Sequence, residues 1–539
     1  MAILELKGIR KAFGPKTVID GASWQMKMGE KVALVGMNGS GKSTLLRIIS
    51  GLMPPDSGSV RVDPDVRIGY VPQEAVFDSS KTLREEVCDP RVARIREKLE
   101  ELELEMSRLK DDEPRLKEVM ERYSALQAEF QNMDGYIYET RLEMILSRMG
   151  FDPSDLDTPA SALSGGQKSR AQLAKVLLKK PDLLLLDEPD SHLDVGALEW
   201  LEGFLSGYKG AVIIVSHDRY LLDRVVNKTI ELEFGKLTKY NGNHSYYADQ
   251  KERSRIKQHY DYVNQQLEMA HLRDAIDMLK TWGVRGNTSK FARRARSMEK
   301  IIRRMDLVDK PRKKAKMQLR LEFQKRSGEM VIEAAGLSKS YGDNVLFSNV
   351  NFHIRWGEHV AIVGPNGSGK TTLINILLGL EHPDRGHVSL GAGLVISYFD
   401  QEQQGLDRRN TIYNELGEST DLSREETMYL LSKLLFRGDK AFNKIDNLSG
   451  GEKNRVMLSK LVYTRANLLV LDEPTNHLDM PSIEVLEDSL AAFKGTVLLV
   501  SHDRHLLTKV ANCVIELDNG KVRFYPGGYK YYLLKRQER

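Results

Sequence analysis

Gly36-Met37-Asn38-Gly39-Ser40-Gly41-Lys42-Ser43, with Thr44 after it, decides how this chain reads, because it returns as Gly364-Pro365-Asn366-Gly367-Ser368-Gly369-Lys370-Thr371 with Thr372. Each copy follows a short apolar run, Val32 to Val35 or Val360 to Val363, and leads into an apolar-periodic segment. That is the order of strand, loop and helix that a phosphate-binding loop requires. Glycines let backbone N–H groups curl around phosphate oxygens with no Cβ in the way. The lysine would reach the β- and γ-phosphates, and the Ser or Thr hydroxyl would sit on Mg²⁺. The helix N-terminus adds partial positive charge. One copy could be a Gly-rich turn; two in matching contexts argue for a duplicated nucleotide site.

The duplication extends well beyond the loop. Gln73 in Tyr-Val-Pro-Gln-Glu is matched by Gln401 in Tyr-Phe-Asp-Gln-Glu, and Leu163-Ser164-Gly165-Gly166-Gln167 by Leu448-Ser449-Gly450-Gly451-Glu452. The apolar runs Leu183 to Leu186 and Leu468 to Leu471 end in Asp187-Glu188 and Asp472-Glu473. His192-Leu193-Asp194 and His477-Leu478-Asp479 follow, then Ser216-His217-Asp218-Arg219 and Ser501-His502-Asp503-Arg504. Lys42 to Gln73 and Lys370 to Gln401 are both 31 residues, Ser164 to Asp187 and Ser449 to Asp472 both 23, and Asp187 to His217 and Asp472 to His502 both 30. Only the step from Gln to Ser differs, 91 against 48, so the first half carries a net insertion of 43 residues.

Within that insertion Val92, Ile95, Leu99, Leu102, Met106 and Leu109 recur at helical spacing, as do Leu116, Val119, Tyr123, Leu126, Phe130 and Met133 after the turn Asp111-Asp112-Glu113-Pro114. The pattern predicts a helical hairpin over about 90–135, either an arm that projects to a partner or a packed helical subdomain. The stretch 245–328 between the halves also has helical spacing, at Ile256, Tyr260, Val263, Leu267 and Ala270 and again at Met298, Ile302 and Met305. A helix from Tyr246 to Trp282 would be about 55 Å long. Gly283, Gly286 and Asn287 should break it, with a second helix returning from about Phe291.

Charge separates these regions. Residues 251–326 hold 22 Lys and Arg against 9 Asp and Glu, a surplus of +13 in a chain of total charge +4, so the remainder is at −9. Lys280, Arg285, Lys290, Arg293, Arg294, Arg296, Lys300, Arg303 and Arg304 cluster at the hairpin turn with one acid, Glu299. Solvation of a helix face needs no such bias, and a phosphate-rich partner such as RNA accounts for it. Trp282 and Phe291 flank the turn and could stack on bases or pack on each other.

The totals set outer limits. A length of 539 residues allows about three or four domains. The only cysteines, Cys88 and Cys513, lie far apart and outside any ligand-spaced motif, which excludes disulfide frameworks and iron–sulfur or zinc modules and fits a reducing cytoplasm. No apolar run reaches the roughly 18 residues that span a bilayer, and the opening Met-Ala-Ile-Leu-Glu-Leu-Lys shows no secretory pattern.

Taken in order, phosphate loop, glutamine, Leu-Ser-Gly-Gly, acid pair, His-Leu-Asp and terminal histidine resemble the ATP-binding-cassette superfamily over about 1–240 and 330–530. The resemblance implies an α/β fold: cassettes at 1–244 and 329–539 joined by a helical hairpin at 245–328, paired within one monomer. Two ATP molecules would be sandwiched head to tail with Mg²⁺. One site would combine Lys42, Ser43, Gln73, Asp187, Glu188 and His217 with Ser449, Gly450, Gly451 and Glu452. The other would combine Lys370, Thr371, Gln401, Asp472, Glu473 and His502 with Ser164, Gly165, Gly166 and Gln167. Ser43, Gln73, Asp187, Thr371, Gln401 and Asp472 would serve Mg²⁺. Glu188 and Glu473 would polarise the attacking water and the histidines would hold the γ-phosphate. Phe13 and Tyr341, each before a glycine, stand where the family stacks an aromatic on adenine.

Tandem cassettes with a basic helical linker and the string Asp472-Glu473-Pro474-Thr475-Asn476-His477-Leu478-Asp479 resemble the ABC-F group. That resemblance implies binding at the ribosomal exit site in the ATP-closed state, with the linker contacting rRNA and the P-site tRNA and the arm reaching toward the L1 stalk. With Arg539 as its last residue, the chain would by that resemblance stand among members that lack a C-terminal extension. Asp190-Ser191 replaces Thr-Asn in the first copy, which makes the symmetry of the two sites an open question. A housekeeping translation factor and an antibiotic-resistance factor both fit the group, and a fused double-cassette ATPase of a membrane transporter is the alternative outside it.

Overall fold

Strands Lys31–Val35 and His359–Val363, which feed the two phosphate loops, each lie inside a six-stranded sheet of the computed structural model. The structure describes the chain except residues 1, 74–76, 79, 109–112, 133–134, 287–288, 311–316, 343, 401–404, 418–422, 477, 519 and 539, and the side chains of 113–115, 132, 282–286, 289–290 and 292. The first sheet runs Ile68–Val71, Leu183–Asp187, Ala211–Val215, Lys31–Val35, Lys228–Glu233 and Lys236–Tyr240. Its first five strands are parallel and the last antiparallel. The second repeats that order with Ile396–Phe399, Leu468–Asp472, Thr496–Val500, His359–Val363, Cys513–Asp518 and Lys521–Tyr525.

The four strands Leu183–Asp187, Ala211–Val215, Leu468–Asp472 and Thr496–Val500 are buried at every residue. A parallel sheet covered on both faces calls for such unbroken apolar runs. The charged exceptions, Asp187 and Asp472, stand at the carboxyl ends of their strands, where open α/β sheets bind ligands.

Each cassette adds a three-stranded antiparallel sheet, Ala2–Phe13 between Lys16–Lys27 and Ser57–Val62, and Met330–Tyr341 between Asn344–Arg355 and Arg385–Leu390. Leu4, Leu6, Ile9 and Ile19 share one core with Leu45, Leu183 and Ile213, and Ile332 and Phe347 share the equivalent core with Leu373, Val470 and Leu498.

The insertion forms helices Pro90–Arg108 and Glu113–Asn132, followed by a third, Gly135–Arg148, that spacing did not single out. Val92, Ile95, Leu99 and Phe130 form its small core with Tyr123, Leu126 and Tyr138, and the Tyr123 hydroxyl donates to Glu103 at 2.8 Å. Leu109, the turn 111–112 and Met133 lie outside the described residues, as do the side chains of Glu113 and Pro114.

Residues His244–Ala315 make a separate unit. Its first helix, His244–Gly286, is 43 residues long, about 65 Å. It runs through Gly283, where a break was expected, and the second helix, Ser289–Arg304, starts earlier than expected. Packing overrides the glycine penalty of about 1 kcal/mol: Ile276, Leu279 and Ala295 form a core joined by Phe291, Met298 and Ile302. Phe291 thus packs inside the hairpin, while the Trp282 side chain and residues 287–288 lie outside the described residues. Residues 317–328, assigned above to the linker, instead pack on the second cassette. Met317 and Leu319 join its core, Phe323 meets Trp356 and Phe493 edge-on, and the Gln318 N–H donates to the Lys433 carbonyl at 2.9 Å.

Candidate nucleotide sites at the cassette interface

Each phosphate loop closes on a glycine in left-handed conformation, Gly41 at φ 104° and Gly369 at φ 92°, which caps the helix beginning at Lys42 or Lys370. A Cβ on Gly36 or Gly364 would lie 2.6 or 2.3 Å from the carbonyl oxygen of Leu232 or Leu517, so only glycine fits the start of the loop. Lys42 Nζ donates to the carbonyls of Gly36 and Met37 at 2.9 and 3.2 Å, and Lys370 Nζ to those of Gly364 and Pro365 at 2.9 Å each. Gly39 and Gly367 also take positive φ.

The strand-end aspartates meet the loop hydroxyls. Thr371 Oγ1 donates to Asp472 Oδ2 at 2.8 Å, and Ser43 lies beside Asp187. Burial pushes both carboxyls up, Asp187 to about 6, and the hydroxyl beside each is close enough to oppose the rise in part. Asp187 Oδ1, Asp472 Oδ1, Ser40 Oγ and Ser368 Oγ are sealed from solvent and take no hydrogen bond. Buried polar atoms are normally paired, and these four line the loops in two matching sets. A hydroxyl and a carboxylate oxygen side by side suit Mg²⁺, which takes one or two protein oxygens and completes its shell with phosphate and water.

Glu188 and Glu473 stand at φ 53° and 49°, uncommon for a residue with a Cβ. Their N–H groups are tied to the Val215 and Val500 carbonyls at 2.8 and 2.9 Å. His217 Nε2 lies 3.5 Å from Glu188 Oε1, and His502 Nε2 lies 3.4 Å from Glu473 Oε1. Burial and the neighbouring Asp472 push the Glu473 carboxyl up to about 8, while burial and Lys370 push His502 down to about 3, a neutral imidazole. Gln73 Nε2 donates to Glu188 Oε2 at 2.9 Å, so this glutamine, expected near the metal, also holds the acid. Gln401 and His477 lie outside the described residues.

The two halves meet at the second loop. Asp194 of the first cassette accepts the Asn366 N–H at 3.2 Å, and the Asn366 amide donates to the His192 carbonyl at 3.0 Å. Burial lowers the pKa of Lys42 and Lys370; opposing it on Lys42 are Glu188, Asp187 and Asp479, and on Lys370 Glu473, Asp194 and Asp472. One acid in each set comes from the opposite cassette. Asn38 occupies in the first loop the place of Asn366 in the second.

Ser164 and Ser449 have a local structural job. Each N-caps the helix that follows, accepting the N–H of Gln167 or Glu452, whose side chain returns to the serine N–H. Ser-Gly-Gly-Gln and Ser-Gly-Gly-Glu are therefore capping boxes, with Gly165 and Gly450 opening the helices. Gly166 faces the His192 ring, with room for a Cβ only at 3.3 Å, and Gly451 is buried. Ser43 and Thr44, like Thr371 and Thr372, lie in the first turn of the loop helices. Phe13 and Tyr341 are half exposed, 49% and 53%, with the Lys11 and Lys339 ammonium groups over their rings.

At the hairpin tip Arg293, Arg294, Arg296, Lys300, Arg303 and Arg304 are exposed. Lys280 is paired with Glu299 at 2.8 Å, so the one acid of the tip is used within the hairpin. The side chains of Arg285 and Lys290 lie outside the described residues.

Sequence reading missed an interface network two residues beyond the histidines. Arg504 reaches Glu202 and Asp218 of the first cassette, and Arg219 approaches Glu484 and Glu487 of the second. The repeat carried a signal: Glu202 and Glu487 each stand 15 residues after the strand-end aspartate.

Asp190 breaks the symmetry, with Thr475 at the equivalent place. Its Oδ1 is sealed without a partner, and burial, reinforced by Asp218, pushes the carboxyl up to about 6. A raised carboxyl pKa costs the fold nothing below its unfolded value and an increasing amount as pH rises to the folded one. Asp190→Asn should melt with the parent near pH 4 and a few degrees above it beyond pH 6. Thermal unfolding across that range decides, and a gap independent of pH would contradict the burial of this charge.

Residues 19–191 and 347–476 match a family described as ABC transporter, and 230–321 match a second family of that description. The chain is 40% identical to YdiF of Bacillus subtilis (strain 168), covering 100% of this chain and 83% of YdiF. It is 37% identical to ABC transporter F family member 5 of Arabidopsis thaliana, over 99% of this chain and 77% of that protein. It is 33% identical to the energy-dependent translational throttle protein EttA of Escherichia coli (strain K12), over 97% and 94%. The solved archaeal ribosome recycling factor aABCE1, in complex with stalk protein aP1, superposes with TM-score 0.61 at 20% identity over 98% of this chain and 92% of that one. RNase-L Inhibitor does so with TM-score 0.59 at 19% identity over 99% and 92%. At such identities the likeness is one of fold. Two phosphate loops of one design, the acid pairs beside them and full-length likeness to named F-family members lead to one assignment: the chain belongs to the ABC-F family of ATP-binding-cassette ATPases.

Proposed function

We propose that the chain hydrolyses ATP at two composite Mg²⁺-dependent sites and spends that cycle at the exit-site region of the ribosome, regulating or rescuing translation. The observation that carries the reading is the crossing of Asp194 to the loop of the opposite cassette, 3.2 Å from the Asn366 N–H. A site built from both cassettes assembles only when they meet, so nucleotide occupancy and closure are one equilibrium.

Within each site the loop N–H groups and Lys42 or Lys370 hold the phosphates. Ser43 with Asp187, and Thr371 with Asp472, would hold Mg²⁺. When bound, Mg²⁺ neutralises charge on the β- and γ-phosphate oxygens. Glu188 and Glu473 orient the attacking water and take its proton, and His217 and His502 fix the γ-phosphate side of that geometry. Ser164 and Ser449, already placed as caps, present the opposing helix N-termini to the phosphate.

The role at the ribosome is supported by likeness to EttA, whose name states a translational function, and by the basic hairpin tip. No described helix is long and apolar enough to cross a membrane. The protein should co-sediment with ribosomes when a slowly hydrolysed ATP analogue is present and much less with ADP, from the cytoplasmic fraction. Sedimentation with membranes instead, or indifference to nucleotide, would overturn the reading.

A further inference from the structure

We propose that Arg504 is a positioning residue for the nucleotide site of the first cassette, acting from the second; this rests on the ATPase reading above. Arg504 is 8% exposed. Its Nη2 donates to Glu202 and, at 3.2 Å, to Asp218 Oδ2, both across the interface, and its guanidinium lies 5.0 Å from the Tyr220 ring centre. Glu202, 1% exposed, also takes Arg224 of its own cassette at 3.0 Å.

Asp218 follows His217 directly, and the two oxygens of its carboxylate have different tasks. Oδ1 accepts the Leu221 N–H at 3.0 Å and starts the next helix, while Oδ2 accepts Arg504. Its own N–H donates to Ser216 Oγ at 2.9 Å. The loop 216–218 that carries His217 is therefore held from three directions, and one of them is the opposite cassette. One guanidinium nitrogen shared by two acids fixes position as well as charge.

The pseudo-equivalent residue does not do this. Arg219 Nη2 stays 3.6 Å from Glu484 and 3.7 Å from Glu487 and makes no hydrogen bond, and Arg219 Nη1 meets the His505 ring nitrogens at 3.5 Å, the limit of a hydrogen bond. Glu487 is taken by His505 at 2.9 Å and Lys509 at 3.3 Å, both of its own cassette. Asp503 Oδ1 accepts the N–H groups of His505 and Leu506, and among the described residues no hydrogen bond from Arg219 reaches Asp503. The constraint is unequal: the second cassette grips the acid next to His217, while from the first cassette Arg219 meets the His505 ring at 3.5 Å and does not reach Asp503, the acid next to His502.

Both arginines bridge the cassettes, so a bridge that only glued them together would make their loss equivalent. The test compares Arg504→Ala, Arg504→Lys and Arg219→Ala in the full chain by Mg²⁺-ATPase kinetics, with thermal unfolding as the folding control. Arg504→Ala should lower kcat at least fivefold with KM within about twofold, because substrate still binds while the groups around the water are misplaced. Arg504→Lys, which keeps the charge but not the planar guanidinium, should recover part of that loss. Arg219→Ala should stay within twofold of the parent. In the Glu473→Gln background, where turnover is confined to the first site, Arg504→Ala should remove most of what remains; in the Glu188→Gln background it should change little. If either single-site background has no turnover, the three variants of the parent decide alone. Equal kcat losses for Arg504→Ala and Arg219→Ala, or none for either, overturn the proposal, and if Arg504→Ala does not fold, Arg504→Lys against Arg219→Ala makes the same comparison. A parent without Mg²⁺-ATPase activity would instead overturn the ATPase reading.

Discussion

Changing Glu188→Gln and Glu473→Gln together is expected to lower ATP turnover about 100-fold or more while nucleotide still binds. Glutamine keeps the shape and can occupy the left-handed backbone of Glu188 and Glu473, but it cannot take a proton from water. Positioned general bases contribute roughly 10²–10⁴ to rate, so the loss should fall in that span. Binding survives because the loops, lysines and strand-end aspartates are untouched. A carboxyl held up to about 8, as at Glu473, becomes a carboxylate only as pH rises toward that value. Turnover of the parent should therefore climb from pH 6 to pH 8, and the double variant should lack that rise. With hydrolysis removed, the closed form should accumulate in ATP and stay on ribosomes. Steady-state kinetics settle the matter: undiminished turnover would mean that neither glutamate is the base.

Replacing Arg293, Arg294 and Arg296 by Gln should weaken ATP-dependent binding to ribosomes by about tenfold or more at low salt and flatten its dependence on salt. All three are exposed, and Glu299, the one acid at the tip, is engaged by Lys280. Each lysine or arginine that neutralises a phosphate releases counterions, so every lost contact lowers the slope of affinity against salt by about one. Phosphate contacts grip without reading sequence, so the loss should be the same whichever RNA bases lie beneath. The hairpin itself should persist, because Ile276, Leu279, Ala295 and Phe291 hold it and none of the three arginines belongs to that core. Intrinsic ATPase should stay near the parent value, since the substitutions lie in the separate unit 244–315. Sedimentation at graded salt is the measurement, and a variant that pellets like the parent at every concentration would show that the tip does not hold RNA.

Much of this was legible in the residues because the chain states it twice. Equal spacings in the two halves placed strands, loops and acid pairs, and unbroken runs such as Leu183 to Leu186 are what a sheet buried on both faces demands. The serine before Gly-Gly was visible as a ligand candidate, and its capping role was present in the same four letters. What escaped notice depends on contacts without local pattern. Arg504 meets Glu202 across 302 residues of sequence and Asp218 across 286. Either acid alone is an ordinary charged residue, and only the fold buries it. The continuity of the long helix through Gly283 was hidden for a similar reason, since propensity argues against it and packing from the returning helix argues for it. In the sequence Lys280 reads like every other basic residue at the turn, and only the fold sets it against Glu299.

The placement of Met317 and Leu319 in the core of the second cassette bears on how the molecule can be taken apart. A fragment begun at the first strand, Met330–Tyr341, would leave behind apolar side chains that belong inside it and would expose the faces of Trp356 and Phe493 that Phe323 covers. Such a piece would be sticky and prone to self-association. The unit of cooperative folding begins about a dozen residues earlier, so cutting before Met317 should release a second half that carries its whole interior with it.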